Sequence, residues 1–324
     1  MQPICFLTGA SGFVGRHLAP MLAATHRLRV LAREGQEQPW LAGDHERVAG
    51  RLDDEAALRK GVRGADVVVH LAALVSFRPQ DRAAMFATNA YATGVLARLA
   101  REAGVRRLLH CSTISAVAYR DRPEAVDETA PYNFGPLRIG YCDSKSAAER
   151  AVLDEVGRGL DAVIVNPPSM YGRGDRRKGD GSLITALLEG RVRMAPPGGI
   201  NVANVVDVCR GMLAALDKGR RGERYVLGGE NLTGRELLQR VAGIAGARAP
   251  RRVVAPLFVR AAANALAVKE TLFGCRGPLT SEVLRLTARF LWYSSGKAQR
   301  ELGWTAGSVD AGIAAACAEL RERA

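Results

Sequence analysis

Short apolar runs alternate with segments of helical periodicity along the first half of the chain. The run at residues 3–8 precedes a glycine-rich turn and then "RHLAPMLAA", an order typical of strand, loop and helix. The run "ADVVVHLAA" at 65–73 is almost continuously apolar, as in a parallel strand covered on both faces. Strands that alternate with helices predict an α/β fold built on a doubly wound parallel sheet. The further predicted strands are 26–33, 105–113 and 161–172, and the predicted helices are 54–62, 83–104 and 140–157.

The pattern becomes less regular and more helical after about residue 172. Helices are predicted near 256–272, 280–290 and 308–323, with a short strand in "ERYVLGG". We therefore expect a boundary there, between a regular α/β unit at residues 1–172 and a smaller, mostly helical region at residues 173–324. Part of the second region, at about 201–230, is expected to return to the sheet. A chain of 324 residues is long enough for this arrangement.

The chain is basic, but its basic residues do not predict a nucleic-acid site. Its 46 lysines and arginines against 33 acidic residues give a net charge of +13. The densest basic runs, 172–181 and 218–224, are glycine-rich and contain no aromatic residues on which bases could stack. We expect solvated loops there, and no specific nucleic-acid partner.

No stretch of the sequence predicts a membrane span. The most apolar candidate, 253–268, is interrupted by Pro256, Arg260 and Asn264, so it is expected to be a buried or surface-docked helix. The six cysteines are scattered without a C-x-x-C pair, which argues against a metal site or a disulfide framework. With no basic, apolar leader at the start, these features favour a cytoplasmic protein.

Three glycines follow the first predicted strand and open the first helix. Gly9, Gly12 and Gly15 would permit a tight turn and a close approach of the backbone to a pyrophosphate at the helix N-terminus. The second strand ends at Arg33, where an arginine suits the extra phosphate of NADP(H) and an acidic residue would suit NAD. NADP(H) is therefore favoured, with NAD(H) possible.

A tyrosine and a lysine stand four residues apart at the start of a predicted helix. Tyr141 and Lys145 would share one helix face, where the ammonium group would favour the phenolate and lower the pKa of the phenol. A phenol tuned in this way can transfer a proton near neutral pH. Thr113, in "HCSTISAV" after a predicted strand, could orient a substrate oxygen at the carboxyl edge of the sheet.

These motifs together resemble the extended short-chain dehydrogenases/reductases of the NAD-dependent epimerase/dehydratase superfamily. The resemblance rests on "TGASGFVG", "DVVVHLAA", "TNAYATGVLARLA", "STISAV" and "YCDSK", and "VNPPSMYG" and "GERYVLGGENLT" are similar to the dihydroflavonol-reductase-like and hopanoid-associated epimerase-like group. It implies a Rossmann-type sheet in an NAD(P)-binding domain at residues 1–172 and a smaller substrate-binding region at residues 173–324. It further implies a possible homodimer and a catalytic set of Thr113, Tyr141 and Lys145. It also implies cofactor contacts from Gly9, Ser11, Gly12, Phe13, Val14, Gly15, Arg33, Leu52, Leu71, Ala72, Ala73, Asn89, Tyr141, Lys145 and Pro167.

The sequence departs from that family pattern at two places. Arg51 stands where many relatives have an aspartate for the adenine amino group, and Asp53 is not expected to replace it. Asn166 stands where sugar-nucleotide enzymes often have an arginine, and this difference argues against a nucleotide-sugar substrate. His70 is expected to be a strand residue near the cofactor and not a metal ligand, whereas His110 and Cys111 are expected to be packed in their strand.

Three functions stay open on the sequence alone. The favoured one is an NAD(P)-dependent oxidoreductase that interconverts a hydroxyl and a carbonyl on a small organic substrate. The others are a sugar-nucleotide epimerase or dehydratase with tightly bound NAD, and a non-catalytic nucleotide-binding regulatory or assembly protein on the same fold.

Overall fold

A seven-stranded parallel sheet organises the computed structural model, which describes residues 2–35, 45–175, 183–275, 277 and 279–323. The strand order within these residues is β3-β2-β1-β4-β5-β6-β9. The strands are β1 Ile4–Thr8, β2 Arg27–Ala32, β3 Glu46–Ala49, β4 Val67–His70, β5 Arg107–Cys111, β6 Ala162–Asn166 and β9 Arg224–Val226. The order reverses between β1 and β4, and ligands of such sheets bind at the carboxyl ends of the strands beside that reversal.

Helices cover both faces of this sheet. They are α1 Phe13–Ala23, α2 Glu55–Val62, α3 Arg82–Met85, α4 Ala92–Glu102, α5 Gly140–Gly157 and α7 Val205–Lys218, with a π-helical turn at Phe86–Tyr91 between α3 and α4. Successive strand residues alternate between the faces. Cys5 and Leu7 of β1 pack in the core that includes α1 and α7, whereas Phe6 packs in the core that includes α2 and α4. The predicted Rossmann-type fold is confirmed.

A second, four-stranded sheet lies in the later part of the described chain. Its central strand β8, Gly199–Asn204, pairs with β7 Ser169–Tyr171 and β11 Phe290–Leu291 in parallel and with β10 Glu230–Thr233 in antiparallel orientation. The helices of this region are α6 Leu183–Leu188, α8 Gly234–Ala245, α9 Pro256–Phe273, α10 Ser281–Thr287, α11 Gly296–Leu302 and α12 Asp310–Arg323.

The strand predicted at 161–172 is divided between the two sheets. β6 ends at Asn166, Pro167 and Pro168 follow, and β7 then joins the small sheet. Proline has no N–H to donate to a strand ladder, so the pair ends the first strand. The chain thus leaves the large sheet beside the end of β5. Pro167 lies at this point, and its carbonyl accepts a hydrogen bond from the Ile114 N–H at 3.0 Å.

Candidate active site

The glycine loop after β1 fits a dinucleotide pyrophosphate. Gly9 has φ +78°, and a Cβ on it would lie 2.6 Å from the Ala72 nitrogen at the end of β4. A Cβ on Gly15 would lie 2.3 Å from the Gly9 carbonyl oxygen, and the Gly12 N–H donates to that oxygen at 3.0 Å. Gly12 is the N-cap of α1, and no side chain of the described ranges caps the helix. The open N–H groups and the helix dipole suit a bound phosphate.

The other residues expected near this loop fall into two groups. Ser11 is exposed at the loop, whereas Phe13 and Val14 are buried in the core beneath it. Their part at the loop is therefore to anchor α1. Leu71, Ala72 and Ala73 follow β4 and cross the loop at the Gly9 contact.

Two arginines meet just past the carboxyl end of β2, one that follows this strand and one whose side chain reaches there from β3. Arg33 follows β2 and is exposed, and its carbonyl accepts from the Arg47 Nη2 at 2.7 Å. Arg47 was not singled out in the sequence, since β3 was not predicted. Leu52 follows β3 and packs partly into the core. Beside it Arg51 pairs with Asp53 at 3.1 Å.

Asn89 ties the end of β4 to the tyrosine helix. Its Oδ1 accepts from the Leu74 N–H at 2.7 Å, and its Nδ2 donates to the Leu74 carbonyl at 2.9 Å and to the Ser144 Oγ at 3.0 Å. Asn89 is buried in the π-helical turn, a distortion that often marks functional sites. It therefore fixes the first turn of α5 against the segment that follows β4.

Tyr141 and Lys145 occupy the first two turns of α5, on elements fixed by buried contacts. The preceding residue, Gly140, begins the helix, and a Cβ on it would lie 2.6 Å from the Met85 Cε. The Tyr141 ring is partly exposed and meets the Phe77 ring edge-on, with 5.5 Å between centroids.

Thr113 follows β5 and is held at its backbone. Its carbonyl accepts from the Asn166 Nδ2 at 2.9 Å. Its Oγ accepts from the Ser115 N–H at 3.3 Å, so its own O–H can donate elsewhere. The same Asn166 Nδ2 donates to the Glu149 Oε1 at 2.6 Å, and Arg224 pairs with the other Glu149 oxygen at 3.2 Å. Asn166 is thus a buried support of Thr113, a role that the sequence did not indicate.

Lys145 is 1% exposed, and its ammonium group contacts the end of β5. Its Nζ donates to the Cys111 carbonyl at 2.9 Å and lies 3.2 Å from the His110 Nε2. Burial lowers the pKa of Lys145 to about 8. The lysine is therefore held at the carboxyl end of the strand that leads to Thr113.

A pair of buried histidines continues inward from Lys145. His110 and His70 are register partners on β5 and β4, with ring centroids 5.2 Å apart. Burial, aided by the charge of Lys145, lowers the pKa of His70 to about 3 and that of His110 well below its usual value. Both rings are neutral at physiological pH, so the His110 Nε2 is the acceptor for the ammonium group.

Both histidines were expected to be strand residues, but the contact of the pair with Lys145 was missed. The positions of the histidines could have indicated a common location. His70 is the last residue of β4 and His110 is the next-to-last residue of β5, the next strand along the chain. His70 is held between the Thr8 and Thr93 hydroxyls, at 2.7 and 2.8 Å. The His110 Nδ1 has no hydrogen-bond partner among the described residues.

A parallel sheet with a glycine loop that suits a pyrophosphate and a Tyr/Lys helix at one edge is typical of dinucleotide-dependent oxidoreductases. Residues 5–228 match the model of the NAD dependent epimerase/dehydratase family. The chain belongs to that family, and it is an NAD(P)-dependent oxidoreductase of the extended short-chain dehydrogenase/reductase type.

Similar proteins match along nearly the whole chain. Sterol demethylase protein B of Methylococcus capsulatus is 33% identical over 332 residues, covering 98% of each chain. The 4-hydroxy-2-methyl-3-oxo-4-farnesyl-3,4-dihydroquinoline-1-oxide ketoreductase of Stigmatella aurantiaca is 32% identical, covering 92% of this chain and 91% of its own. The crystal structure of gox2253 superposes with a TM-score of 0.87 at 30% identity, covering 100% of this chain and 99% of that one.

Proposed function

We propose that this protein is an NADP(H)-dependent oxidoreductase that interconverts a ketone and a secondary alcohol on a large apolar molecule. One observation supports the proposal: buried contacts hold the segments of the three candidate catalytic residues at one edge of the sheet. Asn166 holds Thr113, Asn89 holds the first turn of the Tyr141 helix, and the Cys111 carbonyl holds Lys145. A protein that only binds a nucleotide has no need of this set.

The three side chains have separate roles in this proposal. A bound nicotinamide supplies or accepts the hydride. Tyr141 donates a proton to the substrate oxygen during reduction and takes it back during oxidation. The Thr113 O–H donates a hydrogen bond to the same oxygen and orients it, while the positive charge of Lys145 favours the tyrosinate.

An apolar substrate is supported from two directions. The names of two relatives that match nearly the whole chain carry a sterol and a farnesyl group. In this chain the phenol of Tyr141 lies beside the Phe77 ring, and Val75 on the same segment is exposed. Asn166, where a sugar-nucleotide enzyme would often have arginine, is fully buried in the support of Thr113.

The preference for NADP(H) is supported by Arg33, just past the end of β2, and by Arg47 of β3, whose side chain reaches it. No ion pair involves Arg33 within the described ranges, and the Arg47 guanidinium contacts its backbone. A phosphate on the adenosine ribose would meet one or both cations there.

Fluorescence titration with NADPH and NADH tests the cofactor assignment. Arg33→Asp should weaken NADPH binding by at least about tenfold, because a phosphate loses a cation and meets a carboxylate, and should change NADH binding much less. Arg122→Asp, at an exposed arginine on another loop, is the matched control and should change neither. Equal losses for both cofactors in Arg33→Asp would remove Arg33 from the phosphate site.

The same preparation separates the proposed activity from the epimerase alternative. The proposal expects protein that is purified largely free of nucleotide and oxidises added NADPH when supplied with sterol or isoprenoid ketones. Stoichiometric NAD retained through purification, with no turnover of apolar ketones, would favour a sugar-nucleotide epimerase or dehydratase.

A further inference from the structure

Helix α9, Pro256–Phe273, presents an apolar stripe to solvent. Leu257, Ala261, Ala265, Val268 and Leu272 recur at spacings of four and three, which places them on one helix face. All five are exposed, and Leu257 and Leu272 keep 74% and 69% of their surface. Phe258, beside the stripe, is 70% exposed. Side chains of this size are seldom exposed together unless the surface binds something.

The opposite face of α9 is the one that joins it to the protein. Val259, Ala263 and Glu270 are the buried residues of the helix. The Glu270 carboxylate accepts from the Ser281 N–H at 3.0 Å and from the Ser281 hydroxyl at 2.5 Å, at the start of α10. The stripe therefore points away from the body of the protein, and its exposure follows from how the helix is anchored.

Positive charge surrounds the stripe. Between residues 246 and 275 the exposed charged side chains are Arg248, Arg251, Arg252, Arg260 and Lys269, of which Arg260 lies 3.8 Å from Asp121. The single acidic residue of this segment, Glu270, is buried and binds Ser281. An apolar helix face bordered by lysine and arginine is the pattern of a helix that lies in the interface of an anionic bilayer. In a two-fold contact between copies through this stripe, the basic residues of one copy would lie close to those of the other, and the like charges would repel.

We propose that the outward face of α9 docks this protein on the surface of an anionic lipid bilayer. Leu257, Phe258, Val268 and Leu272 enter the boundary between headgroups and acyl chains, and the basic border meets the phosphates. The helix lies on the bilayer and does not cross it: no helix in the described part of the chain is long and apolar enough for a span.

The C-terminal end of α9 contacts the segment that carries Phe77, three residues before Gln80. Just past the end of α9, the Cys275 carbonyl accepts from the Gln80 Nε2 at 3.5 Å. Gln80 follows Phe77, whose ring touches Tyr141. If the proposed function holds, an apolar substrate dissolved in the bilayer would reach the protein near the candidate active site. Docking on the bilayer does not itself depend on catalysis.

Vesicle flotation of the full chain tests this inference, with vesicles of phosphatidylcholine alone or with phosphatidylglycerol added. Wild-type protein should bind the vesicles with phosphatidylglycerol at least about tenfold more strongly than those of phosphatidylcholine alone, and added salt should weaken that binding.

Substitutions on α9 separate the apolar from the electrostatic contribution. The double variant Phe258→Gln with Leu272→Gln should lose binding to both kinds of vesicle. Arg251→Glu with Lys269→Glu should lose mainly the preference for anionic lipid. Tyr91→Gln, at a tyrosine that is 74% exposed outside α9, is the control and should bind normally.

Two further measurements keep the test decisive. In Phe258→Trp, brominated acyl chains should quench emission beyond the wild-type background, which places the residue in the bilayer. Tyr141→Phe should bind vesicles as wild type does, so loss of activity and loss of docking are separable. Absence of vesicle binding, binding that survives the α9 substitutions, or a dimer abolished by those substitutions without vesicle binding would each overturn the inference.

Discussion

At the scale of single residues, the site depends on side chains that are buried yet polar or charged. Lys145 is held by the Cys111 carbonyl and by a neutral His110, and Thr113 is held through Asn166, Glu149 and Arg224. Inside the protein these hydrogen bonds are stronger than they would be in water, so they hold the groups that make them. Each therefore has a fixed position before any ligand binds.

The buried ammonium of Lys145 gives a testable dependence of stability on pH. Its pKa is lowered to about 8 in the folded chain from 10.5, so between these values the unfolded chain binds the extra proton. The stability of the wild type without cofactor should therefore rise with pH in that window, relative to Lys145→Met, by about 3 kcal/mol. Below pH 8 both states carry the proton and the difference between the two proteins should be flat.

Urea unfolding of both proteins from pH 7 to pH 10.5 measures this difference. Lys60→Met, at an exposed lysine on α2, is the control and should show no such rise. A constant difference between wild type and Lys145→Met across the window would mean that burial does not depress the pKa of Lys145.

At the scale of elements, the cofactor loop depends on close backbone packing between β1, α1 and β4. Gly9 has a positive φ, and a Cβ on it would clash with the backbone of Ala72. Gly15 lies against the carbonyl groups of Gly9 and Ala10. Neither contact can relax through a side-chain rotation, because the neighbouring atoms are backbone. The loop geometry is thus set by glycine before the phosphate arrives.

Gly9→Ala should therefore reduce both stability and cofactor affinity. Gly64→Ala is the matched control: Gly64 also has a positive φ, +65°, but nothing lies within 4 Å of its Cβ position. We expect Gly64→Ala to cost about 1 kcal/mol of stability and to leave cofactor binding unchanged. Gly9→Ala should cost more and weaken cofactor binding at least about tenfold, measured by thermal unfolding and cofactor titration. Similar behaviour of the two variants would show that the contact with Ala72 does not shape the site.

The elements also show where sequence patterns are informative. The long apolar runs and the helix at 140–157 predicted β1, β4, β5 and α5, because the core imposes their periodicity. The small sheet was not predicted: β11 has two residues and β7 three, too few for any period. The contacts of Lys145 with His110 and of Asn166 with Thr113 join distant segments, and no local pattern encodes them.

At the scale of the whole molecule, two surfaces lie close together. Thr113, Tyr141 and Lys145, the candidate catalytic residues, lie at the carboxyl edge of the large sheet, and the end of α9 contacts the segment that carries Phe77. We propose that the first surface receives a nicotinamide, and the apolar and basic character of the second suits a bilayer. Together they describe an oxidoreductase that acts on apolar molecules at a membrane surface, which is the combined proposal.

The central claim is that Tyr141 transfers the substrate proton, and comparing Tyr141→Phe with wild type tests it most directly. Rapid mixing of enzyme and NADPH with an apolar ketone that the wild type reduces gives the rate of hydride transfer in one turnover. Because the phenyl ring keeps its packing against Phe77 but cannot donate a proton, the rate should fall about 10²–10⁴-fold. NADPH affinity should stay within about twofold of wild type, since a hydroxyl lost from a part-exposed ring changes binding little. A variant that keeps more than about a tenth of the wild-type rate, with normal cofactor affinity, would contradict the account.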